Sequence, residues 1–207
     1  MLIEIGNFKK GLSDVIEAFF YSYRTFGLTK DDHASYATHS EIRYFKRLGE
    51  MLNFATEVEA RKNSSDRPAD LVWVDEYEEY YYDPEKLVLH LERETRGWEK
   101  VRPTLEKLFR GSTKQKVPMG IAIIDNVPDS KVDETVELFQ SNFYSKKKFD
   151  EFALLLYRAF DEANRQKPIT TKIFTIDSKD PYTMDAKFEY VGKCDGDDNA
   201  DFVIISY

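Results

Sequence analysis

The sequence predicts a single α/β domain, a central mixed β-sheet flanked by helices. Three observations lead there. "KVPMGIAIIDN" (116–126) is a continuous apolar run, the pattern of a strand buried on both faces. Three further strand-like stretches precede it between 54 and 94. Stripes of apolar residues at helical spacing bracket those stretches at 40–54 and 97–111.

Taken in order, "LSDVIEAFFYSYRTFGL" (12–28) reads as a helix, with Leu12, Val15, Phe19 and Tyr23 at helical spacing and Ser13 as its cap. A polar connection follows. "SEIRYFKRLGEMLNF" (40–54) is a second helix, with Ser40 at the N-cap and Glu41 in the electropositive first turn. "FATEVEA" (54–60) alternates as a strand, "RKNSSDRP" (61–68) is a turn by composition, and "ADLVWVDEYEEYYY" (69–82) returns as the partner of a hairpin. After the break at "YDPE", "KLVLHLERE" (86–94) is the third strand. "GWEKVRPTLEKLFRG" (97–111) carries Trp98, Val101, Leu105 and Leu108 on one stripe, with Pro103 kinking it or marking its first turn. The strand 116–126 follows. "SKVDETVELFQSNF" and "KKFDEFALLLYRAFDEANRQ" (147–166) read as helices, and 170–177, 186–192 and 201–207 as strands forming a C-terminal β extension.

Composition narrows the function classes. The chain has 207 residues, 33% of them charged, and a net charge of -8, so no global basic field draws it to nucleic acid or membrane. Cys194 is the only cysteine, which excludes an intramolecular disulfide. "LIEIGNFKKG" after Met1 is too short and polar for a signal sequence, and no apolar run reaches the ~18 residues of a membrane span. A cytoplasmic protein is the expectation. "DGDDNAD" (195–201) lacks the glycine and glutamate of a calcium loop and reads as a solvated turn.

The candidate chemistry lies in carboxylates. Glu41 shares a helix face with Phe45, Leu48 and Leu52, and so sits on the core-facing stripe or at its solvated end. Asp70, Val72 and Val74 share one face of their strand. Val88, His90, Glu92 and Glu94 share a face opposite Leu87, Leu89 and Leu91. Paired carboxylates on one face raise each other's proton affinity unless a cation lies between them. His90 reads most simply as a hydrogen-bonded core histidine, and alternatively as a proton-transfer or metal-binding residue.

In that order and spacing the chain resembles the PD-(D/E)xK superfamily, the restriction-endonuclease-like and Holliday-junction-resolvase-like proteins, across roughly residues 40–126. Pro68, Ala69 and Asp70 match the P-D element with one residue inserted. Glu92, Arg93 and Glu94 match the (D/E)-x-K element, with Glu94 where a lysine usually stands. Glu41 matches the acidic residue of the first core helix, and Ser64 and Ser65 are similar to the serine-bearing turn of resolvase-like members.

The resemblance implies a restriction-endonuclease-like core at 40–126 within one domain spanning 1–207, elaborated by helices and strands over 127–207. It implies Mg²⁺- or Mn²⁺-dependent hydrolysis of nucleic-acid phosphodiesters, DNA before RNA. Asp70, Glu92 and Glu41 would be the metal ligands, with the Arg93 carbonyl as a further oxygen, and Glu94 a ligand or general base. Arg61, Lys62 and Arg67 in the hairpin turn are the candidate phosphate contacts, with Arg43, Lys46, Arg47 and Lys146, Lys147 and Lys148 as further basic groups. A homodimer is compatible with this reading. Glu94 cannot supply the positive charge of the usual lysine, so the alternative is an inactive protein of the same fold acting as a binding or assembly module. A third reading is an unrelated α+β domain whose carboxylates are surface groups.

Overall fold

Two buried hydrophobic layers sandwich one mixed sheet. A computed structural model describes residues 34–61, 67–75, 84–110, 116–160, 166–176, 182–185, 187–190 and 202–206. The elements are α1 (Ala34–Met51), β1 (Ala55–Ala60), β2 (Ala69–Val74), β3 (Leu87–Glu94), α2 (Val101–Phe109), β4 (Val117–Pro128), α3 (Val132–Lys146), β5 (Phe149–Phe160), β6 (Gln166–Thr175), β7 (Tyr182–Asp185), β8 (Lys187–Tyr190) and β9 (Phe202–Ser206). β1 to β7 form one sheet in sequence order, and β8 and β9 form a separate ribbon.

The sheet is antiparallel from β1 to β3, parallel from β3 through β4 to β5, and antiparallel again from β5 to β7. Each parallel step requires a crossover, and α2 and α3 supply them. Both crossovers advance the sheet in the same direction, so a fixed crossover hand puts both helices on one face. That face is filled by Val101, Leu105, Leu108, Phe139 and Phe143 against Val72, Ala122, Ile124 and Leu155. α1 covers the other face, with Ile42, Tyr44 and Phe45 against Leu71, Trp73, Leu91, Ile121 and Leu154.

Alternation sorts the residues between the two layers. On β3, Leu89 and Leu91 pack toward α1. A register shift in the β2–β3 pairing puts Val88 in that layer too and Leu87 in the other, against the alternation expected there. On β4, Met119, Ile121 and Ile123 do the same, while Ala122 and Ile124 face α2 and α3. Trp73 anchors α1 to the hairpin: it is fully buried, its indole N–H donates to the Phe45 carbonyl at 3.1 Å, and its ring stacks on Phe54 at 5.8 Å. Gly49 permits that approach, because a Cβ there would lie 2.6 Å from Trp73 Nε1 and Thr56 Cγ2. Gly120 plays a similar part on β4, where the Phe149 ring occupies the space a Cβ would need, 2.4 Å away.

Several expectations need correction. The stretch 147–166 is a central strand, β5, and not a helix. Its residues Phe152 to Ala159 are all buried, and a run that is apolar from Phe152 to Tyr157 suits a central strand covered on both faces. Leucines and alanines gave it helical propensity, and tertiary burial overrode that. α1 begins at Ala34, so Ser40 lies inside the helix and Glu41 is beyond its first turn. β2 ends at Val74, and the expected continuation to residue 82 falls largely outside the described residues, as do the helix at 12–28 and the middle of the 61–68 turn. β7 was not foreseen. The hairpin β1–β2, the third strand, α2 with Pro103 in its first turn, β4 and α3 lie where the sequence puts them.

β1 forms one edge of the described sheet. It carries Glu57 and Glu59, leaves Val58 42% exposed, and turns Glu59 into the left-handed region at φ 54.

Candidate functional site

The antiparallel register pairs Leu71 with Leu91 and Val72 with His90. One further step of that register sets Asp70 opposite Glu92, both on the α2 face. The strand order thus delivers the two carboxylates from the beginning of β2 and the end of β3 to one spot. Asp70 also ends the ladder itself: its Oδ2 accepts the Arg93 backbone N–H at 2.7 Å.

Lys107 of α2 completes the group. Val101, Thr104, Leu105 and Leu108 form the buried stripe of that helix, and Lys107 lies at its margin. Its ammonium donates to Asp70 Oδ1 at 3.2 Å and pairs closely with Glu92 Oε2. Glu92 is 1% exposed, Lys107 23% and Asp70 34%, so the group opens to solvent through Asp70. Burial raises the Glu92 carboxyl to about 7 against the opposing pull of Lys107. Burial and the neighbouring Glu92 raise Asp70 as well. Burial alone would lower Lys107, but Glu92 and Asp70 outweigh it and hold its proton more tightly. The arrangement is a cation held between two carboxylates that resist ionising together.

Behind Glu92 lies His90, whose Nε2 is 2.6 Å from Glu92 Oε1. Its Nδ1 is 2.8 Å from Lys148 Nζ, which also donates to the Leu108 carbonyl at 2.5 Å. Burial, then the two lysine charges, keep the imidazole well below its ordinary pKa. Lys148 is therefore a buried member of this group and not the surface charge expected from its neighbours Lys146 and Lys147.

Glu41 does not join Asp70 and Glu92. It is buried on the opposite face of the sheet in a closed ring of four charges. Arg93 pairs with Glu41 Oε2 and donates to Asp125 Oδ2 at 2.5 Å, and Arg158 donates to Asp125 Oδ1 and Glu41 Oε1, each at 2.5 Å. Burial alone would raise the Glu41 carboxyl, but Arg158 and Arg93 outweigh it and hold it below its usual range. Asp125 is raised by burial, with Glu41 beside it, against the pull of the same guanidiniums. The expectation failed because Arg93 alternates to the α1 face and takes the helix carboxylate with it. The Glu41 ring lies toward the carboxyl ends of the parallel strands, whereas Lys148 meets His90 from the amino end of β5. The second group therefore reaches from the end of β3 back toward the amino ends of β4 and β5.

Glu94 shares the face of Glu92, but its oxygens are committed elsewhere. They accept the Arg96 backbone N–H at 2.6 Å and the Thr104 hydroxyl at 3.0 Å. Arg61 and Arg67 are exposed and flank the hairpin turn at the Asp70 end of the strands. Lys62, Ser64 and Ser65 lie outside the described residues.

Comparison with known proteins finds no matching family model, no matching curated protein and no matching solved structure.

Among the described residues, no three of His, Cys, Asp and Glu cluster so as to hold a metal ion. The donor set that does converge is Asp70 with Glu92, which meets the one or two carboxylates that Mg²⁺ takes beside waters and a substrate phosphate. Lys107 and Lys148 are what sequence reasoning missed. Lys107 stood at the edge of a recognised helical stripe, thirteen positions after the motif, and only the pairing register brings it to Glu92. No described helix is long and apolar enough to cross a membrane.

Proposed function

We propose that this chain is a metal-dependent phosphodiesterase acting on nucleic acid, DNA before RNA, with a restriction-endonuclease-like core. The observation that carries the reading is Lys107 standing between Asp70 and Glu92. It restores the acid–acid–lysine set that Glu94 had left incomplete, with the lysine delivered from a helix. Asp70 and Glu92 would hold Mg²⁺ or Mn²⁺, which when bound supplies charge neutralisation and a water of lowered pKa. Lys107 contributes an ammonium beside the reacting phosphoryl group. Asp70, the most exposed of the three, faces the side from which substrate arrives. Arg61 and Arg67 flank that side and supply phosphate contacts.

One observation favours the runner-up, a catalytically inactive binding or assembly module of the same fold. Glu92 is 1% exposed, and both of its oxygens are engaged, by His90 and by Lys107. A metal would have to displace Lys107 from Glu92. Cleavage of plasmid and single-stranded DNA in Mn²⁺, wild type against Asp70→Asn and Lys107→Met, tests the proposal. Activity in the wild type and its loss in both variants supports the phosphodiesterase, and equal residual activity in all three removes it.

A further inference from the structure

We propose that His90 and Lys148 are positioning residues that fix the Glu92 carboxylate so that one oxygen points inward and the other to the Asp70–Lys107 side. The proposal rests on Glu92 being a site carboxylate. The geometry is a closed circuit. Lys107 holds Glu92 Oε2, Glu92 Oε1 meets His90 Nε2 at 2.6 Å, and His90 Nδ1 meets Lys148 Nζ at 2.8 Å. Lys148 returns to α2 through the Leu108 carbonyl at 2.5 Å, one residue from Lys107. Strand β3 and the end of α2 are thereby tied at two points.

The donor inventory fixes the tautomer. An ammonium has donors and no acceptor, so Lys148 requires a lone pair on Nδ1. The ring proton then sits on Nε2 and donates to Glu92 Oε1. His90 and Lys148 are both buried, so no solvent competes for these bonds. The outer partner of a ligating group commonly sets its orientation and basicity.

The test uses the full chain with ¹⁵N-labelled histidine. The His90 ring is expected to show a protonated Nε2 and an unprotonated Nδ1 at alkaline pH, above the titration of Glu92 at about 7. Lys148→Met is expected to shift Nδ1 and release that tautomer, and Lys148→Met and His90→Gln to weaken Mn²⁺ binding by about 10- to 100-fold in calorimetry. A protonated Nδ1 in the wild type overturns the proposal, as does unchanged Mn²⁺ affinity in both variants. A wild type that binds no Mn²⁺ ends the functional reading, while the positioning role is still decided by whether Lys148→Met shifts the Glu92 carboxyl carbon signal. If Lys148→Met does not fold, His90→Gln and the wild-type tautomer decide it.

Discussion

Glu92 and Arg93 are adjacent in the chain and face opposite sides of the sheet, Glu92 toward Lys107 and Arg93 toward Glu41. Their peptide joins the two charged groups, because the Arg93 N–H is the donor that holds Asp70. One group is a sealed ring of two carboxylates and two guanidiniums. The other reaches solvent. The proposed chemistry belongs to the second, and the first fixes where β3, β4 and β5 end relative to α1.

Removing Lys107 leaves Glu92 with His90 as its remaining partner among these contacts. Lys107→Met is expected to destabilise the fold by about 2–4 kcal/mol, somewhat below the usual cost of breaking a buried pair because Lys107 is partly exposed. Urea denaturation measures this, and the double variant with Glu92→Gln should cost less than the sum of the two single changes.

The ring offers a sharper case. Glu41→Gln leaves two guanidiniums facing one carboxylate in a dry interior, with an expected loss of about 3–5 kcal/mol. Glu41→Gln combined with Arg158→Met restores the balance and should recover part of it. A double variant less stable than either single one would count against a balanced ring.

Glu94→Gln separates Glu94 from the site. It weakens bonds to the Arg96 amide and the Thr104 hydroxyl, so a loss of about 1 kcal/mol is expected. Divalent-cation affinity, measured by calorimetry, should stay within about twofold of wild type, whereas Asp70→Asn should abolish it.

Two neighbouring groups should give opposite pH slopes. Burial raises Glu92 to about 7, so the folded state keeps a proton that the unfolded chain loses above its ordinary 4.5. The stability from that proton is complete below the unfolded value and is lost as pH rises through about 7. His90 is held well below 6.5, so its contribution is present above 6.5 and is lost as pH falls. Between about pH 5 and 7, Glu92→Gln should therefore make stability rise more steeply with pH than in wild type, and His90→Gln should make it fall. Denaturant midpoints at three pH values decide it.

Gly120→Ala places a methyl group against the Phe149 ring, and about 1–3 kcal/mol of destabilisation is expected. Phe149→Leu in the same chain should relieve part of it. Thermal unfolding of the single and double variants tests this.

Much of this was legible in the sequence. Periodicity located the hairpin, the third strand, α2 and β4, and alternation correctly put His90, Glu92 and Asp70 on shared faces. The helical stripe left Glu41 either on the core-facing side or at its solvated end, and it lies in the core. What alternation cannot say is which side of the sheet a helix covers, so Glu41 was assigned to the wrong company. Nor does local pattern report a cation fifteen residues from Glu92 or fifty-eight from His90, which is how Lys107 and Lys148 join the group. β5 was missed because a run buried on all sides has no period to read.

The edge strand β1 has a consequence for how copies of this chain meet. Unpaired backbone at a sheet edge invites a second strand to add itself. Here a second β1 laid alongside would crowd Glu57 and Glu59 against their own duplicates, and the left-handed Glu59 breaks the extended line that such pairing needs. Pairing of two such edges, as the described residues form them, is therefore expected to be opposed electrostatically, and most strongly in dilute salt, where the charges are least screened.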